Sequence, residues 1–222
     1  MANSGVMIYN ISLTTVVNIL ELIYEVIAPD LCFGCSSVGS VLCAECSERL
    51  WFPDQCYLCK IPTVSSLVCA SCRSKTKLTG LSVSTEYGGT AIDIIYALKY
   101  RASRSGARRV GELIAAGLPY LDPQTCVVTF IPTTGDHRRA RGYDHAQEIA
   151  RAVANVKNLR CVPLLHRQNS AHQVGASKTE RLETVVLVDD VLTTGATLES
   201  GARALHKAGH AQIYGAVFAR TV

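Results

Sequence analysis

Eight cysteines stand in four Cys-x-x-Cys pairs: Cys32/Cys35, Cys43/Cys46, Cys56/Cys59 and Cys69/Cys72. The gaps between pairs are 7, 9 and 9 residues. Two thiolates on one tight turn can face a single ion, and two such turns complete a tetrahedron around Zn²⁺. Eight thiolates therefore predict two sites of four cysteines each. The pattern has no spare His or carboxylate to hold a position open for water, so both sites read as structural rather than catalytic. The spacing leaves open whether the pairs combine consecutively or interleave. Other chemistries fit less well. A disulfide framework needs an oxidising compartment, a redox Cys-x-x-Cys ordinarily occurs once, and iron–sulfur ligation does not require this even spacing. The other two cysteines, Cys126 and Cys161, adjoin apolar residues and read as small buried hydrophobes.

The cysteine-rich stretch is too short to bury a core unaided. Binding each ion supplies on the order of 10 kcal/mol of apparent folding free energy at neutral pH, which replaces it. Charge changes at the same boundary. Residues 1–72 carry two basic and six acidic side chains, whereas residues 73–222 carry 20 basic and 12 acidic ones. A basic body suits an anionic ligand, either a phosphorylated small molecule or nucleic acid, and equally suits simple solubility. No apolar run reaches the 18 or more residues of a membrane-spanning helix. The apolar N-terminal stretch lacks a basic leader and contains Glu21 and Glu25, so a secretory signal is not expected. It reads instead as an amphipathic helix over 1–28, packed on the body of a soluble, cytoplasmic protein. A double zinc ribbon over 29–76 and a larger domain over 80–222 complete the expected organisation.

Beyond Tyr87 the pattern alternates between helix and strand. Helical periodicity begins around Ile92, recurs over Val110–Leu121 and Ala146–Val156, and closes over Leu198–Gly209. Thr125–Ile131, Thr184–Val188 and Ala211–Phe218 are short β-branched or continuously apolar runs, the signature of buried parallel strands. Alternation of this kind predicts a parallel α/β sheet with ligands at the carboxyl ends of its strands.

The sharpest chemical signal lies at one such end. Val185–Leu198 reads as a strand, two carboxylates (Asp189, Asp190), a hydroxyl-rich turn and a helix start. Adjacent carboxylates can accept from two ribose hydroxyls or hold a divalent cation. The turn Thr193-Thr194-Gly195-Ala196-Thr197 offers backbone N–H groups, three hydroxyls and the positive end of a helix to a phosphate. One such residue would suffice to cap a helix; five in nine positions point to a sugar phosphate.

Those 14 residues resemble the signature for phosphoribosyl pyrophosphate (PRPP) in type I phosphoribosyltransferases. Together with the four cysteine pairs, the chain resembles the ComF family, which joins a double zinc ribbon to a phosphoribosyltransferase-like domain. Ala97–Arg101, Arg138–Tyr143, Gln173–Ser177 with Glu180-Arg181, and Val217–Arg220 carry the likeness further. The resemblance implies that Asp189 and Asp190 hold the ribose 2- and 3-hydroxyls and act as the catalytic pair, with Thr193–Thr197 on the 5-phosphate. Thr133, Thr134 and Arg138 match the pyrophosphate loop, and Asn169–Arg181 the mobile loop over the reaction centre. It further implies Mg²⁺ bound with PRPP, pentosyl transfer to a nitrogen acceptor, and a link to competence and DNA uptake through a protein partner or single-stranded DNA.

Two features depart from that pattern. Arg181 leads into Val185 after only three residues, which shortens the loop and bears on turnover. Asp144-His145 stands where an Asn-Gln pair is common. His166 and His172 lie near the loop and are candidates for proton transfer. Lys99, Arg101, Arg104, Arg108 and Arg109 form either a solvated helix face or a track for a nucleic-acid backbone, with Tyr96, Tyr100 and Tyr143 as sparse stacking partners. Two functions of different class follow: an Mg²⁺-dependent phosphoribosyltransferase, or a non-catalytic PRPP-binding module that contacts single-stranded DNA or a partner protein.

Overall fold

The apolar runs line up side by side as a parallel sheet. The computed structural model describes residues 29–101, 103–133, 144–167, 174–176 and 183–221; the expected N-terminal helix lies outside them. Strands β1 (Gly80–Glu86), β2 (Cys126–Phe130), β3 (Arg160–Cys161), β6 (Thr184–Leu192) and β7 (Gln212–Arg220) form a five-stranded sheet in the order β1-β7-β6-β2-β3. All of its pairings are parallel. A small antiparallel pair, β4 (Leu165–Arg167) with β5 (Val174–Ala176), stands apart. The helices are α1 (Ala44–Glu48), α2 (Thr90–Tyr100), α3 (Arg104–Ala116), α4 (His145–Lys157) and α5 (Ala196–Ala208).

Strand β6 is paired on both edges, and Val185, Val186, Leu187 and Val188 are wholly buried. Burial on both faces explains why this strand is continuously apolar rather than alternating. Val186 and Val188 join a core with Ile94 and Leu98 of α2, Ile114 of α3 and Ile149 of α4. Val185 and Leu187 join a second core with Leu198, Ala202 and Leu205 of α5. The cysteine-rich segment divides between these cores: Cys32, Leu42 and Cys46 pack into the first, and Cys56, Tyr57, Val68 and Cys72 into the second. Among the described residues, no helix is long and apolar enough to cross a membrane.

The largest boundary shifts are at α3 and β6. The helix expected from Val110 begins at Arg104, because Ser103 Oγ accepts the Gly106 amide at 3.0 Å as its N-cap. It stops at Ala116, ahead of Gly117 and Pro119. Strand β6 runs four residues past Val188, held by Asp189↔Val217, Val191↔Ala219 and Leu192↔Arg220 on β7. Strand β1, not foreseen, is an edge strand whose serines and threonine dilute its apolar pattern.

Helices α3 and α4 approach closely at Gly111, where an added Cβ would overlap Ala152 Cβ and come within 2.9 Å of Ile149 O. Gly111→Val is expected to lower the unfolding free energy by about 1–3 kcal/mol through overpacking. A shift of the urea midpoint at constant m-value would show it.

Candidate metal centres and candidate sugar-phosphate site

The cysteines gather as two consecutive groups, Cys32/Cys35/Cys43/Cys46 and Cys56/Cys59/Cys69/Cys72, with the sulfurs of each group within 4.8 Å of one another. None of the eight forms a disulfide. The question left open by spacing is thereby answered: the pairs combine in order. The two groups are built alike. Cys32 N donates to Ser37 O and Cys56 N to Ile61 O, each at 2.8 Å; Ser36 N donates to Cys32 O and Lys60 N to Cys56 O, each at 2.8 Å. Ser36 and Lys60, directly after the second cysteine of each first pair, both take positive φ, at 59° and 63°. This turn curls the two sulfurs toward one point.

The donor sets fit zinc. Four Zn–S bonds of about 2.3 Å place tetrahedral sulfurs roughly 3.8 Å apart. Cys35 and Cys43 Sγ are 3.7 Å apart, and Cys59 and Cys69 Sγ 3.5 Å. Burial would raise the Cys32 thiol, but backbone N–H groups of Cys43, Cys35 and Gly34 pull it to about 6. Cys56 is likewise brought to about 6 against burial, by the amides of Cys59, Cys69 and Leu58. Burial and neighbouring sulfurs push Cys46 and Cys72 up to about 12. Four sulfurs this close become thiolates together only around a cation. Both clusters could hold zinc, and each set is closed. Cys126 and Cys161 stand outside the clusters, their thiols pushed up to about 11 by burial.

At the carboxyl end of β6, the two aspartates have different surroundings. Asp190 is buried, with both oxygens engaged: Oδ1 accepts from Val191 N at 2.8 Å, while Oδ2 meets Lys99 Nζ at 2.8 Å and His145 Nε2 at 3.1 Å. Lys99 comes from the last turn of α2 and His145 from the first residue of α4. Burial works against the Asp190 charge, but the bond from His145 and the Lys99 cation hold its carboxyl well below the usual range. Asp189 accepts the Asp190 amide at 2.9 Å. Burial and the adjacent Asp190 charge raise its carboxyl well above the ordinary value. One carboxylate is fixed and ionised, and its neighbour is poised to need a cation or a donor.

The turn after β6 is open to solvent. Thr193, Thr194 and Ala196 are exposed, Gly195 and Thr197 partly so. Gly195 takes φ +77° at the N-cap of the 13-residue α5, a conformation that favours glycine. Gly195 offers no side-chain cap, and Thr194 Oγ1 accepts the Ala196 amide at 3.4 Å, so an anion would meet the next N–H groups of the first turn.

Thr133 stands at the end of β2, facing α4. Its amide donates to Asp144 Oδ2 at 3.1 Å and its hydroxyl to Asp144 Oδ1 at 2.9 Å. Asp144 also caps α4 through the Ala146 and Gln147 amides. It therefore clamps together both ends of the segment holding Thr134 and Arg138, which lie outside the described residues, as does His172. His166 is exposed on β4. The structure thus gathers Asp189, Asp190 and the 193–197 turn. It also adds Lys99 and His145, whose pairing a linear sequence does not show. The only trace of His145 in the sequence was its departure from the common Asn-Gln pair.

Residues 138–221 match the family model described as the phosphoribosyl transferase domain. No curated protein matches the chain. The chain is similar to a solved allosteric regulatory enzyme of purine biosynthesis, at 17% identity and a TM-score of 0.40, over 51% of this chain and 25% of that one. It is also similar to the UMP synthase of Leishmania donovani, at 19% identity and a TM-score of 0.34, over 55% of this chain and 23% of that one. The chain thus spans about a quarter of the length of each. The architecture is a parallel α/β sheet with two four-cysteine clusters ahead of it, and its C-terminal part carries the match to the phosphoribosyl transferase domain.

The aspartates are expected to respond oppositely to neutralisation. Asp189→Asn removes a charge whose folded-state cost is absent at low pH and grows as pH rises toward its raised pKa. It is expected to raise Tm at pH 7.5 by about 2–4 °C, the gain vanishing near pH 4. Asp190 stabilises above its unfolded value of about 3.9, and loses that contribution as pH falls through its depressed folded value. Asp190→Asn leaves Lys99 without a counter-charge, and is expected to lower Tm at pH 7.5. Differential scanning fluorimetry of both variants across pH 4–8 tests the pair of signs.

Proposed function

We propose that the chain binds PRPP with Mg²⁺ at the end of β6 and transfers the phosphoribosyl group to a nitrogen acceptor, as a ComF-like protein linked to DNA uptake. One observation carries this reading. An ionised, rigidly held carboxylate and a second, raised one shortly precede a largely exposed Thr-Thr-Gly-Ala-Thr turn that opens a helix with glycine at its N-cap. Such a turn takes the 5-phosphate on backbone N–H groups, and the aspartates accept from the ribose hydroxyls. Lys99 and His145 act through Asp190, fixing its rotamer and charge before ligand arrives, so little reorganisation is needed. Mg²⁺ would neutralise pyrophosphate oxygens and draw on Asp189, whose charge the neighbouring Lys99 offsets less than burial and Asp190 oppose it. The match over 138–221 supports the same reading.

The test is calorimetric and chemical together. PRPP with Mg²⁺ is expected to bind the wild-type protein and raise its Tm. Asp189→Asn/Asp190→Asn is expected to lose both effects, and pyrophosphate release with a nucleobase panel should exceed that of the variant. Absence of PRPP binding to the wild type sinks the reading; binding with no release above the variant leaves a non-catalytic module.

A second reading, contact with single-stranded DNA, draws on the surface. Arg104 and Arg108 of α3 and Arg151 of α4 line a groove of about 530 Å³ with Asn155, Glu112 and Glu148. Exposed Tyr96 and Tyr100 lie with ring centroids 4.8 Å apart, and Arg101 stands 5.8 Å over the Tyr96 ring. The basic cluster of the sequence is divided, however. Lys99 faces Asp190, and half-buried Arg109 bonds Glu112 at 2.9 Å and Ser47 at 3.2 Å. Arg151 takes Arg109's place in the track. Arg104→Ala/Arg108→Ala/Arg151→Ala is expected to weaken oligonucleotide binding and flatten its salt dependence by about two units of slope. An unchanged slope removes the groove from the reading.

A further inference from the structure

The second cysteine cluster is tied to both stems of the turn after β6 through one residue, by its hydroxyl to one stem and its carbonyl to the other. Tyr57 directly follows Cys56 and is buried. Its hydroxyl bonds the Glu199 carboxylate. Thr76 Oγ1 lies 2.6 Å from Tyr57 Oη and donates to Glu199 Oε1 at 2.7 Å. The Leu78 amide donates to Thr76 Oγ1 at 2.9 Å, fixing the threonine where the chain leaves the ribbon. Glu199 belongs to the first turn of α5, and its amide donates to Gly195 O at 2.9 Å. That is the outgoing stem.

The incoming stem reaches the same residue. Arg220 Nη2 donates to the Tyr57 carbonyl at 3.0 Å. Arg220 is the register partner of Leu192, the last residue of β6, and Thr221 N donates to Leu192 O at 3.0 Å. Apolar packing runs alongside, since Cys56, Tyr57 and Cys72 share a core with Leu198, Ala202 and Leu205. Burial and the Glu199 carboxylate both raise the Tyr57 phenol, which keeps its proton for the bond. The first cluster is braced elsewhere: its neighbourhood bonds α3, through Arg109 to Ser47 and Ser105 to Asp30.

We propose that Tyr57 and Glu199 are positioning residues that make the conformation of the phosphate-binding turn depend on a loaded second metal cluster. Loss of that ion frees Tyr57, and with it both stems of the turn. The two clusters are then not interchangeable: the second is bonded to the stems of the turn, whereas the first packs against α2 and α3. The link itself is geometric, and only the identity of what the turn holds rests on the phosphoribosyl reading.

Hydrogen exchange of the full-length, zinc-loaded, ligand-free protein tests it. Tyr57→Phe is expected to speed exchange of the Glu199–Ala202 amides about fivefold, the factor for one net hydrogen bond. Zinc content and exchange of β2 should match wild type. Glu199→Gln, which keeps an acceptor oxygen, should stay within about twofold of wild type, while Glu199→Ala should follow Tyr57→Phe. Cys69→Ser should loosen the same amides far more than Cys43→Ser does. Unchanged exchange in Tyr57→Phe, or an equal rise throughout β2, would overturn the proposal. PRPP titration is a separate arm. A wild type that binds none ends the phosphoribosyl reading, and the exchange result stands without it.

Discussion

Strand β6 is the constraint on which the site depends. Its backbone is committed on both edges and its valines and leucine are buried on both faces, so it cannot slide, tilt or fray without breaking two pairings at once. Whatever it carries at its carboxyl end inherits that rigidity. Asp190 is placed where helices from two different crossovers bring a lysine and a histidine to one oxygen. A buried carboxylate with one partner missing would be costly; with both it is a fixed negative charge at the rim of an otherwise apolar sheet. The helices are in turn held to that strand by the cores its two faces create.

The parts legible in the sequence were those governed by local rules. Val185–Val188 announced a doubly buried strand, Gly209 ended α5 in the left-handed conformation at φ 108°, and the four cysteine pairs announced two groups of four sulfurs that could hold zinc. Contacts between distant segments were not legible. Nothing in the linear pattern tells that Lys99 and His145 converge on Asp190, or that Arg109 turns from the basic stripe toward Ser47. Strand β1 was missed because an edge strand needs only one buried face, and its serines and threonine hide the period. The extra length of β6 was invisible because two aspartates disfavour a strand in isolation, while pairing with β7 decides otherwise.

The abrupt change of composition at Cys72 suggested a ribbon set beside a body, but the packing joins them more closely. The cysteine turns contribute buried sulfurs to the same cores as α2 and α5. The ribbon units lie toward opposite faces of the sheet, one against α2 and α3, the other against α5. A small cysteine-rich segment with no core of its own thus gains one by sharing, and the α/β body gains two braces beside its ligand-facing end.

The likeness of the two cysteine turns extends to which sulfur each shows to water. In both, the first and fourth cysteines are buried, the third is intermediate and the second is exposed. Ligand exchange at a closed tetrahedral ion begins with an incoming group displacing one sulfur. A chelator or oxidant arriving from solvent therefore meets Cys35 or Cys59 first, the pair that sits on the strained turns of Ser36 and Lys60. Each cluster thus has its widest door at its second cysteine, and both doors are hung on the same kind of hinge.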